Sequence, residues 1–293
     1  MTALVGPTLE EAFEEDRRRA PAAPGRRSAR RGWLLPIWGW VVILWLSSPI
    51  IVMIVFGLND GRGRVVSTKW NGLTLKWYAQ LFDNADLTTA LENSITIALL
   101  TTIIAVVLGT LMGVALGKFR FRGSGSVTLL LFANIAAPEV VLGAALLSLF
   151  LSANIPRGYG TILIAHVMFS LAYVVVTVRA RMAGLDPAME EAARDLGAGP
   201  FVTFFRVTLP IIMPGVLSGA LLAFALSIDD YIITSFNAGS TVTFPLWVYG
   251  AARTGVPPQV NVMGTLIFAF GVILALIGYV LNREKKPKSS DNS

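Results

Sequence analysis

Long, almost uncharged apolar segments constrain this chain more than any other feature of its sequence. An apolar run of about 20 residues is the length of a membrane-spanning helix. Only 14% of the 293 residues are Asp, Glu, Lys or Arg, against roughly 25% in soluble domains. The sequence therefore predicts an integral membrane protein. Six stretches are each long enough for one crossing: Trp33–Phe56, Ser94–Leu116, Val127–Leu151, Thr161–Val178, Leu209–Ile228 and Met263–Leu281.

The pattern within these segments favours helices. Backbone groups in lipid must bond within the protein, so only helices and closed barrels span membranes. The segments lack the alternation of apolar and polar residues that is typical of barrel strands. The predicted fold class is all-α, a polytopic membrane protein with six transmembrane helices. Pro138 and Pro214 fall inside predicted spans and are expected to kink or open them.

The distribution of basic residues predicts the orientation. Short loops rich in Lys and Arg stay on the cytoplasmic side. Most of the 24 basic residues lie in the first 32 residues, in Lys118–Arg122, between the fourth and fifth spans, and after Leu281. Both termini are therefore predicted cytoplasmic, with a flexible tail at 1–32, the transmembrane domain at 33–282 and a second tail at 283–293. The net charge of +6 comes from basic residues in these tails and loops between apolar segments. No nucleic-acid partner is therefore predicted.

Catalytic and metal chemistry lack their usual residues. The chain has no cysteine and a single histidine, His166, whose segment supplies no companion ligand or catalytic partner. We therefore expect His166 to be a packing or hydrogen-bonding residue, with no metal site and no cofactor. The sequence also lacks a Gly-rich phosphate loop ending in Lys-Ser or Lys-Thr. The chain is predicted not to be an enzyme, and any ATP used must be hydrolysed by another chain.

The loop between the fourth and fifth spans, residues 186–206, carries the strongest local signals, and we call it the Glu-Ala-Ala loop. Asp186 can cap a helix that has Pro187 at its first position. Gly197 supplies a stop, and Pro200 can restart a second helix that leads into the next span. The sequence predicts a helical hairpin on the cytoplasmic side.

A spaced motif in this loop resembles the signature of ABC importer permeases. It consists of Glu191-Ala192-Ala193, three residues, Gly197, nine residues, and Val207–Pro210. The resemblance implies the type I ABC importer permease fold and a coupling helix that docks in a groove of an ATPase subunit. The residues implied in that contact are Glu190, Glu191, Ala192, Ala193, Gly197 and Pro200. The alternative is purely local: the two glutamates stabilise a helix start and Gly197 is an ordinary cap.

Two further stretches are most similar to the spermidine/putrescine permeases of this class: 137–143 in the third span and 226–231 at the end of the fifth. That resemblance implies a bacterial inner-membrane complex with an ATPase dimer, a second permease subunit, an extracytoplasmic binding protein and a polyamine substrate. Those permeases often have aspartate where this chain has Glu139.

Three acids lie within or at the edge of predicted spans: Glu139, Asp229 and Asp230. An unpaired charge in the membrane costs at least a few kcal/mol. A cationic substrate in a water-filled cavity would compensate that cost. Tyr231 adds an aromatic face that attracts cations. Alternatively, the acids pair with a partner subunit or lie at the outer interface.

Other possible functions are a permease for another small solute, or an ion-coupled transporter or channel that works without ATP.

Overall fold

The computed structural model describes residues 34–61, 65–66 and 69–283, which are helical apart from turns and an isolated bridge between Asn59 and Leu73. The predicted tails lie outside these residues, except Arg283. The chain divides into two compact units after Ile51; of the described residues, the first holds the N-terminal part of α1. The helices are α1 (Leu34–Gly57), α2 (Lys76–Ala79), α3 (Ala85–Lys118), α4 (Ser124–Ala136), α5 (Glu139–Ser152), α6 (Tyr159–Met182), α7 (Pro187–Asp195), α8 (Pro200–Ile228), α9 (Ile232–Asn237), α10 (Phe244–Thr254) and α11 (Gln259–Arg283).

Among the described residues, four helices are long and apolar enough to cross a membrane: α1, α3, α6 and α8. They correspond to the first, second, fourth and fifth predicted spans. The third predicted span is instead a pair of helices, α4 and α5, bent by 111°. The sixth falls within α11, whose apolar part reaches Leu274 among the described residues.

The two prolines inside predicted spans, Pro138 and Pro214, affect their helices differently. Before Pro138, the backbone of Ala137 is extended, with φ −71° and ψ 135°. A residue that precedes proline avoids the helical region, and proline has no N–H to continue the ladder. The third span therefore breaks, and Glu139 becomes the first residue of α5. In contrast, α8 continues through Pro214 and widens to a π-helical segment only at Phe204–Thr208.

The core of the second unit is built on close contact between α3 and α6. Three glycines spaced four residues apart on α3 face larger side chains of α6, in the pairs Gly109–Val174, Gly113–Val178 and Gly117–Met182. A Cβ atom at any of them would come within 2.7–2.9 Å of its partner. Small residues let membrane helices approach closely, and these glycines allow α3 to pack tightly against α6. Both helices run in the same direction along this contact.

Helix α8 lies antiparallel to α6 on another side. Gly219 contacts Val174 near the middle of the span, and Ser227 bonds His166 toward its end. The Glu-Ala-Ala loop therefore lies at one end of α8, together with the end of α3. The segment Asp229–Tyr231 lies at the opposite end.

Candidate functional site

The Glu-Ala-Ala loop begins with the helix α7, whose ends follow the local signals. The Asp186 side chain accepts a hydrogen bond from the Ala188 backbone N–H at 3.0 Å, a normal N-cap. Gly197 has φ +84°, in the left-handed region, and the N–H groups of Gly197 and Ala198 bond carbonyls in the last turn of α7. Helix α8 then begins at Pro200. The second helix of the predicted hairpin is thus continuous with the next span.

Glu190 points into the protein, because only 5% of it is exposed. Its carboxylate forms an ion pair with Lys118, the last residue of α3. Thr208 donates a hydrogen bond to it at 2.6 Å, and Arg194 lies at 3.4 Å. Burial raises the pKa of Glu190, but the hydrogen bonds from Lys118 and Thr208 and the two positive charges outweigh it. The pKa is therefore below its usual value, and the group is charged at neutral pH.

The other predicted contact residues of the loop lie at its surface. Glu191, Ala192, Gly197 and Pro200 are exposed, and Ala193 is half-buried. Glu191 therefore presents a free carboxylate beside small residues, and Glu190 does not.

Sequence reasoning missed an apolar component of the same surface. Large apolar side chains are exposed beside the carboxylate, most of all Leu196 at 89% and Phe201 at 81%. Met189 and Phe205 are exposed as well. Contiguous exposed apolar groups mark interaction sites. Their presence in an otherwise polar loop was the signal available in the sequence. Below we propose that a partner subunit docks on Met189, Glu191, Ala192, Leu196, Gly197, Pro200, Phe201 and Phe205, and we call these exposed residues the docking surface.

The acids near the other end of α8 also differ in burial: some are exposed, like Glu191, and one is buried, like Glu190. Glu139 is exposed at the start of α5, and Asp229 is exposed directly after α8. Tyr231 is half-buried, with its ring centroid 4.5 Å from that of Tyr249. Arg253 donates a hydrogen bond to the Tyr249 hydroxyl at 3.3 Å. One face of Tyr231 is therefore occupied by another aromatic ring.

Asp230 is buried and bonded within the chain. Its carboxylate accepts hydrogen bonds from the backbone N–H groups of Ile233 and Thr234, at 3.3 and 2.7 Å, and from the Thr234 hydroxyl at 2.7 Å. The Nε2 atom of His166 lies 3.2 Å away, and its Nδ1 atom is 2.7 Å from the Ser227 hydroxyl. Asp230 thus fixes the start of α9 to α6, and the prediction that His166 is a hydrogen-bonding residue is confirmed.

Close packing of α5 on α9 brings together the two stretches that resemble polyamine permeases. A Cβ atom on Gly143 would lie 2.7 Å from the Phe236 ring, so only glycine fits this contact. The Asn237 side chain donates to the carbonyl oxygens of Ile233 and Gly143, at 2.8 and 3.4 Å. The helix that begins with Glu139 is thereby held against the helix fixed by Asp230.

A cavity of about 1150 Å³ lies at the end of the bundle opposite the Glu-Ala-Ala loop. Its lining includes Trp77 of α2, Asp83 just before α3, Asp86 in the first turn of α3 and Trp247 of α10. Within the described part of the chain, no group of three His, Asp or Glu residues could hold a metal ion.

The chain is similar to known transport permeases over most of its length. It is 36% identical over 260 residues to the spermidine/putrescine transport system permease protein PotC of Escherichia coli, covering 88% of this chain and 96% of that protein. It is 38% identical over 267 residues to the putrescine transport system permease protein PotI of the same organism, covering 87% and 94%. These relatives are transport subunits, in agreement with the prediction that the chain is not an enzyme.

Solved structures support the fold. A bacterial ABC transporter that imports the acidic polysaccharide alginate superposes with a TM-score of 0.63 at 18% identity, covering 91% of this chain and all of that one. The MetNI methionine ABC transporter gives 0.56 at 14% identity, covering 69% and 96%. The predicted all-α type I importer permease fold is therefore confirmed. Residues 105–284 match the model of the binding-protein-dependent transport system inner membrane component, and the chain belongs to that family.

Proposed function

We propose that this chain is a permease subunit of an ATP-driven importer for a polyamine such as spermidine or putrescine. The similarity to PotC and PotI over nearly the whole chain is the observation that carries the proposal. The cationic substrate also explains the two exposed acids, Glu139 and Asp229, at the edges of apolar helices. Carboxylates can replace part of the hydration of an ammonium group as it passes.

The substrate path runs beside the α5–α9 contact. Glu139 and Asp229 provide exposed negative charge, and Tyr231 provides the free edge and face of its ring. Asp230 has a different role from the one its sequence suggests, because its carboxylate already bonds Thr234 and lies beside His166. It positions α9 next to the path and does not bind the substrate.

The docking surface couples this path to ATP hydrolysis on a separate subunit. Its exposed carboxylate, small residues and apolar side chains suit a groove that buries apolar area and offers a basic contact. The assembled importer contains an ATPase dimer and a second permease subunit. Both termini and the docking surface face the cytoplasm, and a binding protein delivers the substrate at the opposite end, where the cavity opens.

Uptake into sealed proteoliposomes that contain the complete complex tests this function. We expect spermidine or putrescine uptake that requires ATP on the side of the docking surface and the binding protein on the other. Dissipating the ion gradients should leave uptake intact. Uptake that continues without ATP and stops when an ion gradient is removed would show an ion-coupled transporter. ATP-dependent uptake of an anionic solute in place of polyamines would contradict the cationic substrate.

A further inference from the structure

Glu190 connects the short helix α7 to two long helices, α3 and α8, which already pack against each other in the core. It lies on α7, and its carboxylate contacts Lys118 at the end of α3 and Thr208 near the start of α8. Both α3 and α8 are long enough to cross a membrane. Among the exposed residues of α7, Arg194 takes part in this junction, whereas Glu191 and Ala192 do not. We call Lys118, Glu190, Arg194 and Thr208 the clamp.

The clamp is a stiff connection by its chemistry. Charge-assisted hydrogen bonds are about twice as strong as neutral ones, and burial at Glu190 and Thr208 keeps water from competing. Removing one member of a buried ion pair leaves an uncompensated charge, so the contacts favour one geometry strongly.

Its contact on α8 falls in an irregular part of that helix. Thr208 is the last residue of the π-helical segment Phe204–Thr208, where the Leu209 N–H bonds the Phe204 carbonyl five residues earlier. Such wide turns are frequent at functional sites. The clamp therefore holds α8 at an irregular part of that helix.

We infer that Glu190 is the internal link that transmits movement of α7 to α3 and α8, and that it acts in coupling without touching the ATPase. This inference rests on the proposed function for the presence of an ATPase at the docking surface, but not on the identity of the substrate. Glu190 is a positioning residue, and its neighbour Glu191 is the contact residue.

The adjacent glutamates provide a matched experiment in the complete complex. We expect Glu190→Gln to leave assembly with the ATPase and ATP hydrolysis intact, while solute imported per ATP hydrolysed falls about tenfold, as expected for loss of one buried charge-assisted bond. Glu191→Gln should instead weaken retention of the ATPase and leave the amount imported per ATP unchanged. Glu190→Gln with native import per ATP, or with weakened ATPase retention alone, would overturn the inference.

A double variant tests whether Glu190 acts through Lys118. If it does, Lys118→Gln lowers import per ATP, and adding Glu190→Gln lowers it no further. Additive losses would show that Glu190 acts elsewhere.

A distance measurement gives an answer even if no polyamine is transported. The chain has no cysteine, so spin labels can be placed at Ala188→Cys on α7, outside the docking surface, and at Arg120→Cys just beyond α3, both exposed. In the native background, the distance between labels should stay constant between nucleotide-free and ATP-bound complexes. In Glu190→Gln, it should change with nucleotide. The same constant distance in both backgrounds would refute the clamp, whereas failed polyamine uptake by the native complex would refute only the substrate.

Discussion

A pair of adjacent acids lies near each end of α8, on α7 and directly after α8, and in each pair one carboxylate is buried and the other is exposed. Before the helix, Glu190 is 5% exposed and Glu191 is open to solvent. After it, Asp230 is 9% exposed and Asp229 is open. The buried member bonds the protein itself, and the exposed member is available to something outside the chain. Chemically identical neighbours can therefore have separate roles.

The two buried carboxylates are compensated differently. Glu190 is neutralised by the cations Lys118 and Arg194 and joins three elements at a surface loop. Asp230 is stabilised mainly by N–H and O–H donors of α9, with His166 beside it. The first arrangement holds α7 in one geometry against α3 and α8, so that the three elements move together. The second fixes a short helix in one place.

The largest expected effect is a loss of protein stability when Asp230, the buried acid of the second pair, is replaced. Asp230→Ala would remove the acceptor of two backbone N–H groups and of the Thr234 hydroxyl, and would leave His166 Nε2 with the Thr234 hydroxyl, 2.8 Å away. We expect a loss of about 3 kcal/mol in the free energy of unfolding. Thermal unfolding in detergent measures it. The control, Asp229→Ala, removes an exposed group and should cost no more than about 0.5 kcal/mol. Equal losses in both variants would contradict the assignment of roles.

The next effect concerns the exposed acid on α5. Glu139→Gln removes the charge and keeps the shape, so we expect polyamine uptake by the complex to fall about tenfold, equivalent to about 1.4 kcal/mol. Glu139→Asp keeps the charge and should retain most of the uptake. If the Gln variant transports normally, Glu139 does not line the path.

An effect of similar size is expected at the docking surface. Leu196→Ser and Phe201→Ser each remove apolar area that we propose is buried against the ATPase, which should weaken retention of that subunit about tenfold. Leu75 is also exposed, at 67%, but lies at the opposite end of the bundle. Leu75→Ser is therefore the control, and retention as weak as in the Leu196 variant would argue for a non-specific effect.

The smallest effect is the pH dependence that Glu190 contributes. Because its pKa in the folded protein is below the ordinary 4.5, its stabilising contribution is complete above pH 4.5 and is lost as pH falls through the lower folded value. The difference in unfolding temperature between native protein and Glu190→Gln should be constant near neutrality and shrink in acid. A difference that grows in acid would contradict the ion pair.

Local signals predicted the Glu-Ala-Ala loop well. Capping by Asp186, the stop at Gly197 and the restart at Pro200 are properties of a few neighbouring residues, and all three are present. The burial of Glu190 could not be predicted, because its main partner, Lys118, is 72 residues away in the sequence. Two adjacent glutamates at the start of a helix look equivalent until the tertiary contact is known.

The outer acids show the same limit. The sequence predicts the same role, contact with a cationic substrate, for Asp229 and Asp230. It does not distinguish the buried acid from the exposed one, because α9, with six residues, is too short to produce a periodic signal. The sequence predicts that Pro138 kinks or opens its span, and the helix breaks there. The bend of 111° could not be predicted, because the restriction on Ala137 and the packing of α5 on α9 act together to produce it. Apolar length predicted the straight spans because it depends on composition alone.

One side-by-side measurement tests most directly whether the exposed and buried acids have separate roles. Asp229→Asn and Asp230→Asn each remove one carboxylate charge, one residue apart, and each complex can be assayed for spermidine uptake and thermal unfolding in the same preparation. We expect Asp229→Asn to lose about tenfold in uptake with an unchanged unfolding temperature, and Asp230→Asn to unfold at a lower temperature. Native uptake by Asp229→Asn, or a native unfolding temperature for Asp230→Asn, would contradict the claim that the exposed and the buried acid have separate roles.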